Sequence, residues 1–246
     1  MKITTDALVI WEHKTGETDR VITLLTPEGI LSAYARGSLR PGGKLTSATA
    51  MLGYSNFELA EGRSMYTVAD AMSIRRFTKL STDMSAYALA AYFCELAKLL
   101  APSDDGAAAF LSLMLNSIYL LGESEKPREL IKCVFELRAM TYAGYRPDVD
   151  SCAACSGSGS RGVYFDVAAG NFLCADCAAR RGLPINVPGS VICAMRYICE
   201  SESAKAFSFE ISAAALKILS RVCEEYVRRW VDHPLQTLDF YNTQCK

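Results

Sequence analysis

Histidine is nearly absent from this chain: two, His13 and His233, stand in 246 residues, far apart in sequence. Nothing therefore groups a histidine with a nucleophile or a catalytic metal. A phosphate-binding glycine loop and a dinucleotide-binding glycine motif are also missing. So is a long apolar run. The longest uncharged stretch, Gly106 to Gly122, is interrupted by Ser112, Asn116 and Ser117, and falls short of the roughly 18 to 20 apolar residues of a membrane span. Charge of one sign is lacking too. The 26 Lys/Arg nearly balance the 27 Asp/Glu, for a formal net charge of −1, which excludes a bulk polycation but leaves room for a local basic face. In the opening Met1-Lys2-Ile3-Thr4-Thr5-Asp6, an acid stands where a signal peptide has its apolar stretch. The expectation is a soluble, cytoplasmic protein with no membrane partner.

Cysteine, by contrast, is abundant: ten residues. Four of them form two pairs, Cys152-Ala-Ala-Cys155 and Cys174-Ala-Asp-Cys177, eighteen residues apart. Each pair sets two thiolates on one tight turn, and a hairpin between them brings the turns together. This is the spacing of a tetrahedral zinc site. Four thiolates saturate Zn²⁺ and leave no position for water, so the expected cofactor is a structural Zn²⁺ that hydrolyses nothing. Two disulfides or a redox pair are the alternative, and a reducing compartment disfavours them. Of the six other cysteines, Cys94, Cys133, Cys193, Cys199 and Cys223 read as small core residues, and Cys245 stands apart.

Three changes of character divide the chain. Residues 1–79 read as short strands over Ala7–Trp11, Asp19–Thr26, Ile30–Arg36, Tyr54–Leu59 and Ser64–Ala69, with turns at Glu28-Gly29 and Ala60–Arg63. Five strands without a strong helix suggest a small barrel, most economically of the OB type. Residues 80–147 read as helices over Ser85–Leu100, Ala107–Leu121 and Arg128–Ala143. In the last, Leu130, Val134, Leu137 and Thr141 make an apolar stripe, with Lys132, Glu136 and Arg138 off it. Residues 148–180 hold the cysteine pairs around a Ser-Gly loop, 156–160, read as mobile. Residues 181–246 return to helix over Ser190–Cys199 and Ile211–Val231, where Glu224–Arg228 and Glu225–Arg229 read as a solvated ion-pair face. The expected class is α+β: an N-terminal five-stranded OB-type barrel, then an α-helical domain with a four-cysteine zinc finger inserted.

One segment suggests a ligand. In Ile30 to Lys44, strand alternation sends Leu31, Ala33 and Ala35 to one face and Ser32, Tyr34 and Arg36 to the other. A ring beside a guanidinium suits single-stranded nucleic acid, base on ring and phosphate on cation. The loop that follows adds Arg40 and Lys44. Residues 1–80 hold ten Lys/Arg against eight Asp/Glu, a slight excess of two. The same segment also reads as a solvated hairpin, Tyr34 as a packing residue, and Arg75, Arg76 and Lys79 as a solvated junction. Asp19-Arg20 reads equally as a structural ion pair or as a DNA contact.

The order of these parts resembles the bacterial recombination mediator family RecO. The likeness rests on Glu17-Thr18-Asp19-Arg20-Val21-Ile22-Thr23-Leu24-Leu25-Thr26, on Gly29 through Ala35-Arg36-Gly37, on Gly144-Tyr145-Arg146-Pro147 leading to Cys152, and on Asn171-Phe172-Leu173 leading to Cys174. Such a resemblance implies a non-enzymatic DNA-repair protein, cytoplasmic and nucleoid-associated. It implies binding of single- and double-stranded DNA, annealing of complementary strands, and recombinase loading onto DNA coated with single-strand-binding protein. It also implies two protein partners, a RecR-type mediator and the C-terminal tail of single-strand-binding protein. The DNA site carries over to Arg20, Arg36, Arg40 and Lys44, with Tyr34, and the metal site to Cys152, Cys155, Cys174 and Cys177. About four phosphate contacts would make log K fall against log salt with a slope of roughly −3 on single strands. The loop after Arg36 is poorer in Lys/Arg than is usual in that family, so binding is expected to be weaker, more salt-sensitive, or shared with the helical domain and a partner. A zinc-stabilised protein-interaction module without DNA binding, and a zinc enzyme, are the alternatives.

Overall fold

A computed structural model describes residues 2–202 and 204–245. They form two compact units, residues 2–124 with 236–245 and residues 125–235. This division by packing differs from the sequence boundaries after residues 79, 147 and 180, which mark changes of composition.

In the first unit, β1 (Lys2–Thr15), β2 (Asp19–Thr26), β3 (Gly29–Ala35), β4 (Tyr54–Ala60) and β5 (Tyr66–Arg75) close into a barrel of order β1-β2-β3-β5-β4. This is the OB arrangement. β1 is far longer than its apolar stretch suggested, because its first half pairs with β4 and its second half with β2. Closure between β3 and β5 is parallel and short, with Ala33 opposite Tyr66 and Tyr34 opposite Thr67. Alternation fills the interior with Ala7, Val9, Ile22, Leu24, Ala33, Phe57, Leu59 and Val68. Ala7-Leu8-Val9-Ile10 is buried throughout, since one face looks into the barrel and α2 (Met84–Leu100) packs on the strand. The Gly/Pro loop after β3 ends in a short helix, α1 (Lys44–Ala48), whose Leu45 and Ala48 join the barrel core. α3 (Ala107–Glu123) follows α2.

The second unit contains α4 (Arg128–Tyr142), the hairpin β6 (Val163–Asp166) and β7 (Asn171–Cys174), α5 (Ala175–Arg180), α6 (Gly189–Glu200) and α7 (Ala213–Trp230). α4 departs from its expected amphipathic character, for every residue from Leu130 to Met140 is buried. Its charged side chains are paired inside the unit. Lys132 Nζ lies 2.8 Å from Glu136 Oε1 and 3.2 Å from Glu224 Oε2 on α7. Arg138 donates to the Cys199 carbonyl at 2.8 Å and to the Tyr142 hydroxyl. The expected ion-pair face of α7 is rearranged as well: Glu224 does meet Arg228, at 3.3 Å, but Glu225 meets Arg221, at 3.5 Å.

The chain then returns to the first unit through α8 (Gln236–Gln244), which packs on α2. The Glu95 carboxylate accepts from the N–H groups of Gln236 and Thr237 at 3.2 and 3.1 Å, satisfying donors that a helix start leaves open. No helix of the described residues is long and apolar enough to cross a membrane.

Candidate nucleic-acid interface and metal centre

Asp19 organises the end of β3. Its carboxylate accepts from the Gly37 N–H at 2.7 Å, from the Thr18 hydroxyl at 2.9 Å and from the Tyr34 hydroxyl. The Gly37 N–H, then the Tyr34 and Thr18 hydroxyls, hold the Asp19 pKa below the usual carboxylate value. The same bond raises the Tyr34 pKa, because its phenol proton is held on Asp19. The stability this carboxylate contributes is present above the unfolded-chain value of about 3.9 and is lost as pH falls through the depressed value. The turn is thus tied throughout the neutral range. Gly37 itself has φ +65°, the left-handed region in which a side chain is strained.

Arg20 does not lie on this surface. It follows the inward parity of Ile22 and Leu24 and is 8% exposed. Its guanidinium donates to the Thr46 carbonyl at 3.0 Å and the Thr49 hydroxyl at 3.1 Å, and its Nε stands 3.4 Å from Glu12 Oε2. Arg20 therefore fastens α1 over the barrel end and holds the loop that leads into it. Arg20→Ala is expected to lower unfolding stability by about 2–3 kcal/mol, because Glu12 and the Thr46 carbonyl lose their partner. A shift of the urea midpoint would measure this, and an unchanged midpoint would refute it.

Arg36, Arg40 and Lys44 are exposed. Among the described residues, no ion pair involves Arg36 or Arg40. Lys44 Nζ lies 2.6 Å from Asp70 Oδ2, with the two side chains 70% and 41% exposed. Lys44 in turn holds the Asp70 pKa low. Pairs this open contribute little and are screened by salt, so Asp70 holds Lys44 only weakly. The loop backbone is ordered by the Gly43 N–H and the Thr46 hydroxyl, which donate to the Arg40 carbonyl at 2.9 and 3.0 Å.

The cysteine pairs converge in the second unit. Their four Sγ atoms all lie within 4.8 Å of one another, and none of the four is in a disulfide. Tetrahedral Zn–S bonds of about 2.3 Å need sulfurs about 3.8 Å apart, so the donor set fits a metal of that kind. Hydrogen-bond donors reach several of these sulfurs. Cys174 and Ala154 N–H groups approach Cys152 Sγ at 3.2 and 3.5 Å, and Arg180 approaches Cys177 Sγ at 2.9 Å. Burial works against the Cys152 thiolate, but the N–H groups of Cys174, Ala154 and Cys155 outweigh it and bring its pKa to about 6. Cys177 is pushed up to about 12, first by the neighbouring Cys155 sulfur. One negative sulfur is thus stabilised, and four require a cation. A Cβ at Gly157 would come within 3.3 Å of Cys155 Sγ, a tight approach, so the first turn closes closely around sulfur. Hairpin register places Val163 opposite Cys174, and Asp166 accepts from the N–H groups of Ala168 and Ala169 at 2.9 and 3.1 Å to form its turn.

Comparison with known proteins follows the same order of parts. Residues 1–77 match the family described as Recombination protein O N terminal, and residues 81–239 the one described as Recombination protein O C terminal. The chain belongs to the RecO family. The DNA repair protein RecO of Acetivibrio thermocellus is 32% identical, covering 97% of this chain and 96% of that protein. Those of Dehalococcoides mccartyi and Symbiobacterium thermophilum are 28% and 26% identical, covering 91% and 97% of this chain and 88% and 96% of their own lengths. RecO membership gives the chain a role in DNA repair and recombination. Two features of the barrel were not read from the sequence: the Asp19 anchor and the Lys44–Asp70 pair. Asp19 left a local sign, an acid just before a strand. The Asp70 partner, twenty-six residues from Lys44, left none.

Proposed function

We propose that the barrel of this chain binds DNA through Arg36, Arg40 and Lys44, with Tyr34 beside them. The binding serves a mediator that anneals complementary strands and helps to load recombinase onto DNA coated with single-strand-binding protein. A RecR-type mediator and the single-strand-binding protein tail are its protein partners. The reaction is non-enzymatic: the barrel aligns strands and makes no bond. The observation that carries this reading is the anchored loop. Asp19, Gly37 and Arg20 hold two free guanidinium groups on an ordered turn, so little ordering entropy is lost when phosphates dock. Zn²⁺ is the proposed metal, held by Cys152, Cys155, Cys174 and Cys177, and its work is structural.

With Arg20 turned inward, about three phosphate contacts remain. Log K against log salt is then expected to slope at roughly −2 on single strands. Arg36→Glu with Lys44→Glu should abolish binding in fluorescence anisotropy at low salt and leave the melting temperature unchanged, since both side chains are exposed. Undiminished binding by this variant would favour the second reading, a zinc-stabilised protein-interaction module. That reading draws on the small number of free cations and on the engagement of Lys44 with Asp70.

A further inference from the structure

The outward face of the first three strands carries aromatic rings that the basic loop does not use. Opposed residues of an antiparallel pair share one face. Trp11 stands opposite Thr23, and Thr23 opposite Ser32. His13 stands opposite Val21, and Val21 opposite Tyr34. The intervening Ile22, Leu24 and Ala33 fill the barrel, so both rows point outward. Trp11 owes its direction to a bulge between Val9 and Trp11. Ala7 and Val9 face the core, and unbroken alternation would send residue 11 inward as well. Re-aiming one side chain is a recurrent use of such bulges.

The result is an indole held 38% exposed beside an exposed imidazole. Their planes are parallel within 8° and their centroids are 5.7 Å apart. The Lys98 ammonium of α2 lies over one face of the Trp11 ring, 4.9 Å from its centroid, so a base would stack on the opposite face or displace it. Tyr34 lies on the same face, two strand spacings or about 10 Å from His13, and Arg36 follows Tyr34 with the same alternation. The acid on this face, Asp19, is already engaged by Gly37, Tyr34 and Thr18. Flat rings flanked by cations suit unpaired bases joined by phosphates. A duplex keeps its base faces stacked and cannot use such rings.

We infer that Trp11 and His13 form a stacking platform for unpaired bases, which makes the barrel prefer single-stranded to double-stranded nucleic acid. The platform presupposes that the barrel binds nucleic acid, and the experiment separates the two. The chain has two tryptophans, so Trp230→Phe leaves Trp11 as the sole indole. This full-length variant is titrated with labelled oligothymidine and with a labelled duplex, reading anisotropy and tryptophan emission together. Oligothymidine should bind and quench Trp11, and duplex should leave the emission unchanged. Trp11→Ala should weaken oligothymidine binding at least about fivefold, the lower end for one stacked base, with duplex affinity unaltered. His13→Ala, which removes only an exposed ring, makes the same comparison should Trp11→Ala fold poorly. Oligothymidine that binds without altering Trp11 emission would overturn the platform and leave the DNA-binding barrel standing. No anisotropy change with either probe would remove the DNA-binding barrel itself, and the platform with it.

Discussion

Cys174→Ser is expected to release the metal and unfold the cysteine module while the barrel stays folded. β6 and β7 are four residues each, and a two-stranded hairpin of that size does not stand alone in water. Its anchors to the helices include Phe165, which meets Tyr226 at a ring distance of 6.2 Å, the Trp230 indole, which donates to the Val167 carbonyl at 3.1 Å, and Arg196 of α6, which donates to the Val149 and Ser158 carbonyls. These tie the module to the helices, and the metal is expected to order the two cysteine turns. Structural Zn²⁺ binding is worth about 10–16 kcal/mol in zinc-finger peptides, and that energy is folding energy. Metal analysis should find one zinc per chain in the wild type and none in the variant. Limited proteolysis should cut the variant between residues 155 and 182, and a chelator should reproduce the cleavage in the wild type. The affinity of the barrel for single-stranded DNA should hardly move. A variant that stays protease-resistant while losing DNA binding would make the finger a contact surface and sink the structural role.

Lys132→Met should be strongly destabilising to the helices of the second unit. Burial by itself would lower the Lys132 pKa, but Glu136 and Glu224 reverse this and raise it above the usual lysine value. A raised folded value contributes stability that is complete below the unfolded value of about 10.4 and is lost only as pH rises beyond it. The wild type should therefore show no lysine-linked change near neutrality. Removing Lys132 leaves Glu136, fully buried, without its cation. Breaking a buried pair in this way costs about 3–5 kcal/mol. The variant's pH dependence should have the opposite sign to that of a salt-bridged acid. Glu136 would then hold its proton in the folded state, so stability should fall as pH rises from about 4 toward neutrality. Lys132→Met with Glu136→Leu, which removes both charges, should recover most of the loss. Urea unfolding at two pH values tests all three statements, and a single variant as stable as the wild type would refute them.

These two sites differ in how far they could be read from the sequence. The cysteine spacing is local chemistry: two residues between ligands make a turn whatever surrounds it, and no cysteine pair of that kind is needed for packing. The Lys132 network was legible only as residues off an apolar stripe. Solvated and buried polar faces have the same helical period, and what distinguishes them is whether α7 supplies Glu224 across the gap. Arg20 makes the same point in the barrel. Its strand was readable, but its side chain points inward because it shares the parity of Ile22 and Leu24, and its partners Thr46 and Thr49 lie on, and just after, a short helix hidden behind a Gly/Pro loop. Trp11 shows the reverse case, turned outward by a bulge that no residue type announces.

The sequence by itself determined the kind of each part: strands in residues 1–79, helices around a four-thiolate module, and the RecO order that joins them. The strands, helices and cysteine module follow from periodicity and spacing, which short-range sterics impose on any chain; the RecO order rests on the family resemblance. Tertiary structure alone decided which charges are free to meet a ligand. It sent Arg20 to α1, Lys44 to Asp70 and Lys132 to the interior, left Arg36 and Arg40 exposed, and turned Trp11 to the outer face of the barrel. The reason is physical. A charge or a ring acquires its role from partners brought near by closure of the barrel and by packing of helices, at sequence separations over which the residues' own types carry no information.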